Sequence, residues 1–159
     1  MTTYAGQNVG AGQFDRVKQG AKQGTLMAFG VSAVITGVIL LFGRYLMGIF
    51  TDTVSLVDYS MSMMQIMAVG YLAVAITQSL SGVMRGGGDT MTPMWISIVQ
   101  TVGIRVPLAY LMVYLTKSEL NPKGQPACLF ISLVVSWLVG AVLTAIFYRK
   151  GKWRKAALL

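Results

Sequence analysis

The chain has 159 residues, of which 55% are hydrophobic and only 11% charged, and it contains no histidine. An ordinary soluble domain carries about 25% charged residues, so the composition excludes that class, and the lack of histidine excludes a histidine-dependent catalytic triad. The net charge of +8, from 13 Lys and Arg against 5 Asp and Glu, would fit nucleic acid if spread over a polar face, but five of the basic residues crowd into residues 149–155 and read as membrane-edge charges.

A transmembrane helix needs about 20 consecutive apolar residues, because each residue rises about 1.5 Å through a core about 30 Å thick. Before the first such run, residues 1–24 lack the apolar core of a signal peptide, since Gly, Gln and charges interrupt every short hydrophobic stretch. Within them Phe14, Val17 and Ala21 fall at helical spacing, with Arg16, Lys18 and Lys22 elsewhere. That pattern fits a short amphipathic helix on the cytoplasmic leaflet, with a solvated linker as the alternative.

The first span is expected over residues 25–50 and is uncharged until Arg44. The second, 59–84, has no charge and opens with Met61, Met63, Met64 and Met67, thioethers that suit either lipid or a surface accepting varied ligands. The third, 93–116, holds one charge, Arg105, near its middle, and the fourth, 127–148, holds none. A basic tail, 149–159, closes the chain and reads as anchor and orientation signal. The fold class is therefore all-α, a polytopic transmembrane helix bundle of four spans.

Basic residues near the span ends set the orientation. One side collects Arg16, Lys18, Lys22, Arg85, Arg149, Lys150, Lys152, Arg154 and Lys155, while the other has Lys117 and Lys123 with Arg44 near its edge. Both termini are expected to be cytoplasmic, in a multi-pass protein of the plasma (inner) membrane. Tyr45, Phe50, Tyr59, Trp95, Tyr114, Tyr148 and Trp153 fall near the expected boundaries, where interfacial aromatics belong.

Residues 81–93, SGVMRGGGDTMTP, join the second span to the third. A phosphate loop would need a lysine and a serine or threonine after its last glycine, and an EF-hand would need more acids. Both are missing, which favours a turn. Gly86, Gly87 and Gly88 can end one helix in a left-handed conformation, Asp89 or Thr92 can cap the next, and Pro93 suits its first turn. The single cysteine, Cys128, forms no internal disulfide, and no zinc site, catalytic residue or cofactor is expected.

The same turn carries a family resemblance. SGVMRGGGDTMTPMWISI followed by IRVPLAYLM, with YAGQNVGAGQFDRVKQGAKQG upstream, is similar to the C-terminal half of multidrug and toxic compound extrusion (MATE) transporters. The resemblance implies a twelve-helix carrier of two bundles, of which these spans would be the last helices and residues 1–12 the cytoplasmic end of an absent helix. It implies export of organic cations and other amphipathic, drug-like molecules from a lipid bilayer in exchange for protons or sodium. Some family members carry an acid where Val74 stands, so that ion site is expected to be absent. With no acid inside any expected span, the coupling ion would be bound by the amino-terminal bundle.

The substrate-binding candidates are Gln65, Tyr71, Gln100 and Arg105. Amides facing lipid are costly, so Gln65, Gln78 and Gln100 should point into the bundle, to bond between helices or to hold a ligand. Tyr71 is a polar aromatic deep in the second span. A charge at mid-bilayer costs at least about 2.5 kcal/mol, so Arg105 should face protein or water. Pro107 deprives the Gly103 carbonyl of its helix bond and should kink the helix, leaving Arg105 either to satisfy freed carbonyls or another helix end, or to line a cavity. Two rival functions stand beside drug export. One is a lipid-linked sugar flippase of the same superfamily, whose pyrophosphate would suit Arg105. The other is a truncated or self-assembling four-span protein without independent transport.

Overall fold

Every long apolar run of the sequence is helical, because a backbone in hydrocarbon must satisfy its own hydrogen bonds. The computed structural model describes residues 1–117, 125–151 and 153–154. In chain order it contains α1 (Thr2–Gly10), α2 (Phe14–Gly48), α3 (Val54–Gly86), α4 (Met91–Ile98), a π-helical segment (Val99–Arg105), α5 (Val106–Leu115) and α6 (Ala127–Lys150). Helix α4, the π segment and α5 form one continuous rod, Met91–Leu115, so among the described residues four helices are long and apolar enough to cross a membrane. The fold is all-α.

The first long helix begins at Phe14, well before the expected start at Thr25. Residues 13–22 are thus neither a separate surface helix nor a linker. No proline interrupts the segment, Lys18 pairs with Asp15 at 2.9 Å one turn away, and Val17 and Ala21 are buried against the rest of the bundle. Gly20 leaves room for the ring of Tyr4, whose hydroxyl donates to the Arg16 carbonyl at 3.0 Å and ties α1 to α2.

The main buried cluster lies at one end of the bundle. Ala5 and Val9 of α1, Val17 and Ala21 of α2, Val83 and Met84 of α3, Ile96 of α4 and Trp153 meet there. Trp153 is fully buried, which corrects its reading as an interfacial aromatic. Gly151, at φ +70°, turns the chain back after α6, and a left-handed residue at that position is what glycine tolerates. The indole then stacks on Tyr148 at 5.6 Å and donates from Nε1 to the Tyr148 carbonyl at 3.1 Å. The basic tail is therefore in part a piece of the core. Lys152 and residues 155–159 lie outside the described residues.

The glycine turn joins α3 to α4 at this same end, and each glycine answers a different constraint. Gly88 has φ +88°. Gly86 lies against the backbone of α1, where a methyl group would overlap the Thr2 carbonyl oxygen, and a Cβ at Gly87 would stand 3.0 Å from the Trp153 carbonyl oxygen. Asp89 then accepts from the Thr92 backbone amide at 3.0 Å. The helix starts at Met91, so Asp89 is the capping side chain, Thr92 is already helical and Pro93 falls in the first turn.

The expected kink at Pro107 takes a specific form. Pro107 has no N–H to donate to the Gly103 carbonyl and its ring crowds that oxygen, and the seven residues before α5 widen into π geometry instead. The wider turns rotate Gln100 and Arg105 relative to a regular helix.

Candidate functional site

Polar side chains at helical spacing on α3 (Thr77, Gln78, Ser81 and Arg85) face Ser97 of α4 and Gln100 of the π segment across a cavity of about 130 Å³. Val74, Pro93, Ile96 and Trp137 of α6 complete its wall. It is smaller than the 300–1,000 Å³ that drug-sized ligands occupy, so in this conformation it has room only for water or part of a ligand. Thr77 turns its hydroxyl back to the Ala73 carbonyl at 3.0 Å, a common way for a helix in hydrocarbon to satisfy a hydroxyl.

Gln100 reaches this cavity because residue 140 is glycine: a Cβ there would overlap the Gln100 amide. Small residues in helix contacts let polar groups approach another backbone, and here the small residue makes the slot for an amide.

Tyr71 lies half-buried on the neighbouring face of α3. Its ring sits 5.9 Å from that of Trp137, tilted by 35°, and its carbonyl accepts from the Ser32 hydroxyl at 3.3 Å. With Ser32 and Thr36 it lines a groove of about 630 Å³ between α2 and α3. Val74 borders both that groove and the polar cavity. Gly70 makes the indole's position possible, since a Cβ on it would stand 2.5 Å from the Trp137 ring.

Arg105 stands apart. Its Nε donates to the Ser136 hydroxyl of α6 at 3.2 Å, and that hydroxyl in turn donates to the Leu133 carbonyl at 2.7 Å. The partner is thus a hydroxyl on the next helix rather than a freed carbonyl. Beside it runs a groove of about 500 Å³ walled by Val106, Tyr110, Val113 and Leu129. Gln65 is exposed on α3 and lines neither the cavity nor these grooves. The four candidates therefore do not converge: Gln100 and Tyr71 flank Trp137, Arg105 is bound to Ser136, and Gln65 is separate.

Thr77, Ser81, Arg85, Ser97 and Trp137 had not been singled out as cavity residues. The first three had a sequence signal, polar residues at positions 77, 81 and 85, a spacing that sets them on one helix face. Trp137 had none, because its role depends on a glycine in another helix.

Among the described residues the acids lie near helix ends or in turns. Asp58, in the second turn of α3, pairs with Arg44 of α2, so two charges that the sequence placed at span edges neutralise each other between helices. Among the described residues no group of three His, Cys, Asp or Glu is placed to hold a metal ion.

Comparison with known proteins gives this arrangement a family. The chain is 27% identical to the probable multidrug resistance protein NorM of Thermotoga maritima, over all of this chain and 33% of that protein. It is 28% identical over 137 residues to the probable multidrug resistance protein YoeA of Bacillus subtilis, covering 85% of this chain and 30% of that one. A third relative, the probable multidrug resistance protein YpnP of Bacillus subtilis, is 24% identical over 99% of this chain and 34% of its own length. The chain thus spans about a third of the length of the curated relatives it matches. These relatives are named as multidrug resistance proteins, none as an enzyme. The family model described as MatE matches residues 1–111, and the chain belongs to that family.

Proposed function

We propose that the chain is the carboxyl-terminal part of a multidrug efflux carrier of the plasma membrane, with both termini cytoplasmic. The carrier exports amphipathic or cationic drug-like molecules in exchange for protons or sodium, by alternating access between two bundles. The observation that carries this reading is the polar cavity set inside an apolar bundle: Gln100, Ser81 and Thr77 face one another where a helix built only to sit in lipid would carry apolar side chains. Gln100, Tyr71 and Trp137 form one wall for the cargo, and a partner bundle supplies the rest. The family and the names of the relatives support the cargo class.

Ion coupling requires a group that binds a proton or sodium within the membrane, usually a carboxylate. Asp15, Asp52, Asp58 and Asp89 all lie near helix ends or in turns, so among the described residues no carboxylate sits in the middle of a long apolar helix. Coupling therefore belongs to the partner bundle. The test is ethidium accumulation in cells expressing this chain alone, the amino-terminal bundle of a MatE relative alone, or both. Export by the pair only is the expected result, and sodium- or proton-dependent export by this chain alone overturns the assignment.

Arg105 supports a second reading, a lipid-linked sugar flippase. Its guanidinium opens on a long apolar groove, an arrangement suited to a pyrophosphate on a lipid carrier. Arg105→Gln separates the two: it abolishes flipping in that case and leaves ethidium export nearly intact in the first.

A further inference from the structure

A fourth concave surface lies at the end of the bundle where the basic residues gather. One face of α2 (Ala21, Thr25, Leu26 and Phe29), Ile76 and Leu80 of α3 and Ala145 of α6 wall a groove of about 430 Å³. Lys18, Lys22 and Arg149 stand at its outer end, beside Tyr148. From Lys18 to Phe29 the α2 face extends for about 16 Å, at about 1.5 Å per residue, so the groove leads from a cluster of cations into the apolar belt.

The Thr25 hydroxyl in the wall is already satisfied, since it and the Ser79 hydroxyl bond each other at 2.9 Å. What remains in the wall is hydrocarbon. Of the cations, Lys18 is held by Asp15 at 2.9 Å, whereas Lys22 and Arg149 form no ion pair among the described residues. The groove is therefore amphipathic, with unneutralised positive charge at the water and an apolar trough beneath.

We propose that this groove is a binding site for an anionic phospholipid. Its phosphate sits among Lys22, Arg149 and Lys18, and one acyl chain lies against Leu26, Phe29, Ile76 and Leu80. Ammonium and guanidinium donors are matched to phosphate oxygens, and basic residues at a membrane surface draw anionic lipid. A polypeptide occupant would need acids at that end, and the neighbouring segment of this chain, from Arg149 onward, is basic. The site needs neither a coupling ion nor a cargo, so it stands apart from the transport reading.

The test is native mass spectrometry of the whole chain in detergent, supplied with equal amounts of phosphatidylglycerol and phosphatidylcholine. One phosphatidylglycerol should be retained with several-fold preference. Lys22→Ala with Arg149→Ala should reduce that preference to near parity, while Arg16→Gln, which removes a basic residue outside the groove, should leave it unchanged. Leu80→Trp keeps every cation but fills the trough, and should lower retention of both lipids; it decides the matter if circular dichroism shows the double variant unfolded. Equal retention of the two lipids, retention of neither because protein covers the groove, or an equal effect of Arg16→Gln overturns the proposal.

Discussion

The amide of Gln100 lies directly over Gly140, on the facing helix, in a space that a single methyl group would fill. This contact aims the one amide of the third span at Thr77, Ser81 and Ser97. Gly140→Ala must push the amide aside. Because the obstacle is the mobile end of a side chain, the cost should be modest, about 1 kcal/mol. Thermal unfolding in detergent should show this loss, and Gly140→Ala combined with Gln100→Ala should recover most of it, since the smaller side chain no longer meets the methyl group.

Gly86 and Gly88 of the α3–α4 turn should respond differently to alanine. Gly86→Ala sets a methyl group against backbone atoms of α1, which cannot rotate away, and should cost about 2–3 kcal/mol. Gly88→Ala places a side chain at φ +88° and should cost about 1–2 kcal/mol. Limited proteolysis at α1 distinguishes them, because only the Gly86 variant should release that helix.

Trp153 packs on Tyr148 and Phe14 and is buried completely, whereas Trp95 is 60% exposed. Trp153→Ala should destabilise the chain by about 3–5 kcal/mol, and Trp153→Phe by less. In a variant retaining only Trp153, a water-soluble quencher should leave the fluorescence nearly unchanged. Strong quenching would return Trp153 to the membrane interface.

The bond from Arg105 to Ser136 fastens the third span to the fourth. Polar bonds between membrane helices are worth about 0.6 kcal/mol on average and up to about 1.7 kcal/mol. A cycle of Arg105→Gln and Ser136→Ala should give a coupling near the upper figure, because one partner is charged. Additive effects of the two changes would mean that Arg105 is held elsewhere.

Pro107→Ala restores an amide donor at the start of α5. The π segment should then relax to α geometry, turning residues 99–105 relative to α5 by up to about 100°, the angle of one residue. Thiol labelling of Val102→Cys, exposed in the native helix, should slow when Pro107 is also replaced.

How much of this was legible depends on the range over which each signal acts. The spans could be read because hydrocarbon imposes one solution, a helix about 20 residues long, whatever the neighbours are. The start of α2 could not, since charges at residues 15–22 look like a boundary until Val17 and Ala21 are seen to have partners in other helices. Trp153 was misplaced for a related reason: an aromatic beside lysines and arginines has the composition of an interface residue, and only the Gly151 turn carries it inward. For the binding candidates, Gln100 could be reached through the cost of a lipid-facing amide, while its companion Trp137 could not.

By itself the sequence determined the all-helical character, the number of long apolar helices, the turn at GGGDT and the family resemblance, because each rests on solvation or on local backbone preference within a few residues. The tertiary structure alone decided that Tyr71 packs on Trp137 and Gln100 shares a cavity with it, that Arg105 is held by Ser136, and that the basic tail begins in the core. Those arrangements follow from close approach between helices far apart in the chain, where a missing Cβ at Gly70, Gly86 or Gly140 sets which side chains can touch.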